Sequence, residues 1–440
     1  MSYYRNTNSL FIVLFRIIIA TIYVLGYDYL VQNYIFKVFY YYANYLYHPA
    51  IDVGYRFLYL LISVIPIVMY SGTKYLSSVF SFFIYLFVYI PFINTLFFGG
   101  YSANLAQPYI LVFFVSMCLF FITDGLFLFK RFMLRTNKPF SFKSLERIVV
   151  VVFIVVVLYN LRKISFVNIL SESDVLYEKR AANGLSGTVS GYIISWLKNA
   201  LIPLLMVSYL SGKKYFRFIV SVLAMIVVFM IDMSKITFMM SFIILLLYAF
   251  YQMFKKLYLK YFGEIVMLML LFFAFVLYYK YTDNSIAYSL AAVFIMRSLC
   301  VEGMELATYL NFFELQGHPF THYTHIGIIG KITGSYPYSE SIGLAVTSGN
   351  GNANGCFWLM DGIAADGLIG CVIASLLFIL FKAIMNGIGL KYSKELCVIV
   401  LMFSIASMIN VSLFTALLSC GFILLYLVFA LFELDTLHDL

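Results

Sequence analysis

The chain has 440 residues, of which 63% are hydrophobic and 11% charged, less than half the charged share of roughly 25% found in ordinary soluble domains. That composition excludes a water-soluble fold, because no such fold can cover so much apolar surface. The net charge of +9 does not point to nucleic acid, since the basic residues fall between apolar runs rather than on one face, and no nucleic-acid partner is expected.

Taken in chain order, apolar runs are predicted to cross a membrane near residues 10–30, 53–71, 75–97, 108–129, 147–161, 191–210, 216–232, 234–254, 264–281, 362–385, 396–410 and 412–432. Each is close to the length that covers about 30 Å of hydrocarbon at 1.5 Å per residue. None alternates with period 2, so the fold class is all-α, a polytopic bundle of about 12 transmembrane helices. The first run follows Arg5 and lacks a small-residue cleavage site, so it reads as a retained span. The breaks near Met233 and Asn410 are short enough to mark re-entrant pairs instead of two full crossings. Arg5, Lys74, Lys130, Arg131, Arg135, Lys138, Lys143, Arg147, Lys213, Lys214, Arg217, Lys255, Lys256, Lys260, Lys382, Lys391 and Lys394 all fall on one side of this arrangement. That side is expected to be cytoplasmic, with both termini inside.

The chain thus reads as one membrane domain, 1–440, carrying two outer-face loops at 162–190 and 283–361. The second loop is long enough to expect function in it. Its opening stretch, residues 285–296, is apolar enough to lie along the membrane surface as an amphipathic helix.

The loops hold the chemistry. Arg180 stands on the outer face against the charge bias. It reads as a guanidinium fork for a phosphate or diphosphate, or as a loop cation paired with Glu178. Arg297 is the cation of an acid-rich loop, so it reads as a ligand contact or a salt-bridge partner. Lys198 and Lys235 lie within or at the ends of apolar spans, where a charge costs on the order of 3 kcal/mol and calls for a partner or an aqueous cavity. Lys235 has the further option of snorkelling to the interface near Asp232.

His318, His322 and His325 are spaced for one helical face. Gly317, Pro319 and Gly327 argue against a helix there, and no cysteine or acid sits at a ligand-like offset, so no metal is expected. One of the three histidines suits the role of general base, and each also suits plain hydrogen bonding within an ordered loop.

Residues 348–358 are dense in glycine and asparagine. Asn352 and Asn354 offer amides to hydroxyl groups and Trp358 offers an aromatic face to a ring; the alternative is a solvated turn anchored by interfacial aromatics. Cys300 and Cys356 fall outside the predicted spans, where a disulfide between them is open. No phosphate-cradling loop or nucleophile elbow is present.

The layout resembles the Wzy family of O-antigen polymerases. The likeness rests on the span number, the order of the outer loops, Arg180 with ten residues between it and Gly191, and the stretch Asn352, Ala353, Asn354, Gly355, Phe357, Asp361, Gly367, Gly370 entering a late span. Arg297 departs from the pattern, having Thr308 where a second glycine would stand.

The resemblance implies a GT-C-like fold in the bacterial inner membrane, with a long periplasmic loop between helices 9 and 10. It implies a metal-independent, cofactor-free glycosyltransferase for undecaprenyl-diphosphate-linked oligosaccharides, with membrane lipids and a chain-length regulator as further partners. On that reading Arg180, Lys235, Lys198, Asn352, Asn354 and Trp358 bind substrate, while Arg297 and one of His318, His322 and His325 serve catalysis. The alternatives are an O-antigen ligase and a flippase or other transporter of lipid-linked oligosaccharide.

Overall fold

A computed structural model describes residues 10–39, 47–48, 52–126, 139–165, 179, 182–185, 188–253, 255–320, 336–349, 351–388, 392–434 and 437. Arg180, His322 and His325 lie outside the described residues, as does the side chain of Lys235. The protein is 82% helical with no strand among the described residues. Nine described helices are long and apolar enough to cross a membrane, and Val53–Met69 and Thr237–Met253 are shorter apolar helices. This is an all-α, multi-pass membrane protein.

The chain divides into two compact units. The first comprises Met1–Leu126, Lys256–Ala383 and Met408–Leu413, and the second Phe127–Lys255, Ile384–Ser407 and Phe414–Leu440.

In the first unit the ends of the helices can be matched by their contacts. Arg16, on Leu10–Val38, pairs with Glu264 of Tyr261–Lys280 at 2.7 Å and donates to the Tyr70 carbonyl. The Tyr70 ring meets Phe121 of Ala103–Gly125 at 5.5 Å. Lys382 pairs with Asp124 at 3.0 Å and donates to Ser81 of Leu76–Phe98 at 2.9 Å. These residues mark one end of the unit. The opposite end holds Tyr34, which is 18 residues or roughly 27 Å from Arg16 along its helix. It also holds Phe98 and Tyr109, at the far ends of their helices from Ser81 and Phe121.

Against that frame two of the nine candidate helices do not run straight through. Ser285–Leu315 is continuous helix, so the predicted surface helix at 285–296 is only the start of a much longer element. Yet Tyr281, just before it, packs on Tyr34 at 4.9 Å. Its Gly303 carbonyl accepts from Thr95 at 3.0 Å, and its Glu314 accepts from Tyr109 at 2.6 Å. All three contacts lie toward the same end, so the helix begins and ends there and does not cross the unit, while its middle lies deeper, where Cys300 neighbours Tyr27.

The second exception is Trp358–Asn386. Asp366 (φ −155°) and Gly367 (φ 59°, ψ −130°) leave the helical region, and Gly367 takes a conformation that essentially only glycine tolerates. The chain doubles back there. Phe357 stacks on Phe378 at 4.8 Å, although 21 residues of straight helix would hold them roughly 31 Å apart. Trp358 Nε1 donates to Ser375 Oγ at 2.7 Å, and Cys371 Sγ donates to the Trp358 carbonyl at 3.4 Å. The expected span at 362–385 is therefore a hairpin: a short limb, 357–365, packed against the crossing limb that begins at Gly367.

The second unit is built on Val189–Ser211, Tyr215–Asp232, Phe142–Tyr159 and Lys235–Met253. Ser141 caps Phe142–Tyr159 by accepting from Ser144 N, and Thr188 caps Val189–Ser211 by accepting from Gly191 N. Such caps satisfy amides that a helix start leaves orphaned. Glu146 accepts from both Tyr209 and Arg217. The turn at Met233 is tight, with that residue in the left-handed region (φ 57°) between two helices.

Candidate functional site

Most of the sequence-predicted residues that are described belong to the first unit, and the structure separates them into groups. The densest group surrounds the second half of Ser285–Leu315 and the hairpin mouth. Glu302 and Glu305 are spaced three apart on this helix and therefore share a face. They are 1% and 4% exposed. Glu302 Oε2 accepts from the Cys356 N–H at 3.3 Å. Among the described residues, Glu302 Oε1 and Glu305 Oε2 meet no hydrogen-bond partner. One turn further on, the Tyr309 hydroxyl donates to the Ala353 carbonyl at 3.2 Å.

These contacts pin residues 352–356 to the helix. The other side of the segment is held by Ala353 N donating to the Gly343 carbonyl at 3.0 Å, and by Thr347 donating to the Gly351 carbonyl at 2.6 Å. Gly343 allows this closure, because a Cβ there would lie 2.3 Å from Asn352 Oδ1 and 3.0 Å from Asn354 Oδ1. The two amides thus converge on one spot. Asn352 is exposed and Asn354 half-buried, and among the described residues neither side chain has a hydrogen-bond partner.

Trp358 does not offer the ring face expected of it. It is 0% exposed, stacked on Phe120 at 5.4 Å and tilted against Phe113 at 4.9 Å, with its indole N–H taken by Ser375. The surrounding apolar run draws the ring inward as packing. Asp361, also buried, accepts from Leu413 N at 2.6 Å and so ties the short limb to another helix start.

His318 stands just past the end of the same long helix. Its ring is parallel to Phe312 with centroids 3.7 Å apart, and Tyr338 packs on the same Phe312 at 6.0 Å. The imidazole is half-buried, and no described residue hydrogen-bonds its nitrogens. Nearby, burial and the adjacent Tyr338 push the Tyr336 phenol up to about 12, so it stays a hydrogen-bond donor at neutral pH. The corner residue Gly367 approaches Phe320 and Glu314, which places the corner at this end of the helix.

Arg297 is exposed and its charge is felt at Glu305, two turns along the same helix. Eighteen residues separate it from Leu315, or roughly 27 Å. It is therefore not brought together with His318, and the two cannot grip one substrate group. The reason is that 285–315 is helix where a compact loop was expected.

In the second unit Lys198 is buried, and its ammonium pairs with Asp232 at 2.7 Å, whose Oδ2 also accepts from Thr237 at 3.2 Å. The charge is closed internally and is not presented to a ligand. Gly191 has a packing reason of its own, since a Cβ there would lie 2.0 Å from the Leu185 carbonyl. Cys300 and Cys356 are both free thiols, so the disulfide between them is absent. No group of three or more metal-ligating side chains occurs among the described residues.

Sequence reading missed Glu302, Glu305 and Tyr309 by treating them as loop residues. The available signal was a pair of acids one turn apart inside an otherwise apolar helical stretch, which inside a membrane bundle marks a functional site by default. Comparisons with protein-family models, curated proteins and solved structures gave no match.

Proposed function

We propose that the chain is a polymerase of undecaprenyl-diphosphate-linked oligosaccharide repeat units of the O-antigen type, acting on the periplasmic face of a bacterial inner membrane. One observation carries this reading. The stretch from Asn352 to Gly370, on which the resemblance rests, folds into a hairpin whose mouth presents two amides with no partner among the described residues, beside a buried acid pair. Irregular backbone at the depth of a helix bundle is tolerated where it is buried or lines a cavity, which is how membrane enzymes and transporters build sites for polar ligands.

In the reaction, an acceptor hydroxyl oxygen attacks the anomeric carbon of the donor sugar. The carbon–oxygen bond to the diphosphate breaks, and the diphosphate leaves with the electron pair. The hydroxyl proton passes to a base, for which His318 is the described candidate, with nitrogens that no described residue occupies. The resemblance implies a role for Arg180 on the diphosphate, a forked guanidinium being suited to stabilising developing charge. Arg297 is too far along its helix to act on the same groups as His318.

A transporter reading draws on the charges buried inside the helices. Arg16 with Glu264, Lys382 with Asp124 and Lys198 with Asp232 are each closed on a counter-charge, which speaks for packing over passage.

The test is the surface-polysaccharide gel pattern of a deletion strain. Core carrying a single repeat is the expected result, and complementation with Arg180→Ala should leave that pattern unchanged. Bare core would remove the polymerase reading in favour of ligase or flippase.

A further inference from the structure

Resting on the polymerase reading, we propose that the amides of Asn352 and Asn354 form a subsite for an uncharged, hydroxyl-rich ring, the acceptor saccharide, and that Glu302 is the residue that positions it. The hairpin mouth is where the two limbs part. Glu302 has one oxygen on the Cys356 N–H and the other, buried, without a described partner. Tyr309 and Gly343 hold Ala353 from either side, at 3.2 Å and 3.0 Å. The amides on both flanks of Ala353 are thereby fixed relative to the helix.

The ligand class follows from the donor set. The Asn352 and Asn354 amide oxygens converge beside Gly343, and converging acceptors suit hydroxyl groups, which donate, while a diphosphate offers them only acceptor oxygens. The subsite is therefore assigned to the sugar and not to the diphosphate. Glu302 itself is too buried to touch that sugar in this arrangement, so its action is through residues 352–356.

The test reads position and ligand separately from polymer output. In a chain keeping Cys356 as its only cysteine, this buried thiol should resist a membrane-impermeant maleimide. Glu302→Ala should raise its labelling rate by about tenfold or more, the size expected for losing a hydrogen bond to a charged group. Glu302→Gln should stay protected, because the amide oxygen still accepts from Cys356 N. Equal protection in the alanine variant, or equal loss in the glutamine variant, would overturn the positioning role. Should Glu302→Ala fail to reach the membrane, Tyr309→Phe serves instead, and unchanged protection there would count against the proposal.

For the ligand, Gly351→Cys introduces a thiol beside Asn352 where a Cβ meets nothing within 4 Å. The free repeat oligosaccharide should slow its labelling and inorganic diphosphate should not; the reverse result would overturn the assignment. A deletion strain that lacks the single-repeat pattern would remove the polymerase reading without touching the labelling result, so the two failures are distinguishable.

Discussion

The acid pair at the hairpin mouth and the ion pairs elsewhere in the bundle place the same residue types in similarly dry surroundings and complete them differently. Lys382 has Asp124, Ser81 and the Phe120 carbonyl around its ammonium, with the Phe120 ring 5.3 Å away. Arg16 has Glu264, the Tyr70 carbonyl and the Tyr70 ring. In the second unit Lys198, Asp232 and Thr237 close on one another. Glu302 is met by the Cys356 N–H and thiol, while Glu302 Oε1 and Glu305 Oε2, like Glu264 Oε2 in the Arg16 pair, meet no hydrogen-bond partner among the described residues. A closed pair recovers its desolvation cost by Coulomb attraction and hydrogen bonds, and its natural role is to hold helices. An acid pair inside an apolar helical stretch is, by that contrast, the candidate for a binding role.

The largest effect expected is all-or-none. If Ser285–Leu315 begins and ends at one end of the first unit, topology reporters fused after Asn284 and after Gly349 should report the same side of the membrane, and a fusion at Lys256 the other. Opposite sides for Asn284 and Gly349 would mean that the helix crosses, and would put the Asn352–Asn354 mouth on the other side of the membrane from Asn284.

Next come the closed pairs. Removing one partner leaves the other charge buried alone, at a cost of about 3–5 kcal/mol. Lys382→Ala and Lys198→Ala should each lower the thermal midpoint in detergent sharply, while Lys198→Met combined with Asp232→Leu should recover most of it and leave polymer length unchanged. A Lys198→Met, Asp232→Leu protein that is stable but makes no polymer would show that Lys198 serves the substrate after all.

Much of this was legible in the sequence, and what was not has a common cause. The membrane class, the helix content and most span positions follow from apolar run length alone, because lipid imposes that length on every crossing. Lys382 counted as one of the cytoplasmic basic residues, and its burial against Asp124 could not be read, since 258 residues separate the two. The hairpin was hidden for a related reason. Asp366 and Gly367 interrupt an apolar run too briefly to look like a chain reversal, and only the contacts of Phe357 and Trp358 with residues 375–378 reveal it. The Gly191 and Gly367 positions were visible as glycines, but the carbonyl pressed against one and the left-handed backbone of the other were not.

The hairpin corner supplies the next expectation. Gly367→Ala forces a side chain into a left-handed conformation with the Phe320 ring 3.0 Å from the new Cβ, at a cost of roughly 1–3 kcal/mol. The expected outcome is a modest drop in thermal midpoint with shortened polymer, because the corner and the mouth at 352–356 belong to one hairpin. Full-length polymer from a destabilised Gly367→Ala protein would uncouple the corner from the site.

The smallest effect separates packing from recognition at Trp358. The indole N–H is used on Ser375 and its ring faces are covered by Phe113 and Phe120, so replacing it with phenylalanine removes one hydrogen bond and some ring area. An interhelical hydrogen bond within a membrane bundle contributes about 1 kcal/mol or less, and the lost area adds a comparable amount of packing. Trp358→Phe should therefore lower the thermal midpoint by a few degrees and leave the ladder of polymer lengths as in the wild type. Ser375→Ala should mimic the hydrogen-bond part of the loss, and the two changes together should cost little more than Trp358→Phe alone, since they remove the same bond. A sugar platform would behave otherwise: polymer would shorten in Trp358→Phe at normal stability, and Ser375→Ala would leave it untouched. That outcome would require the hairpin to open and expose the ring during the reaction.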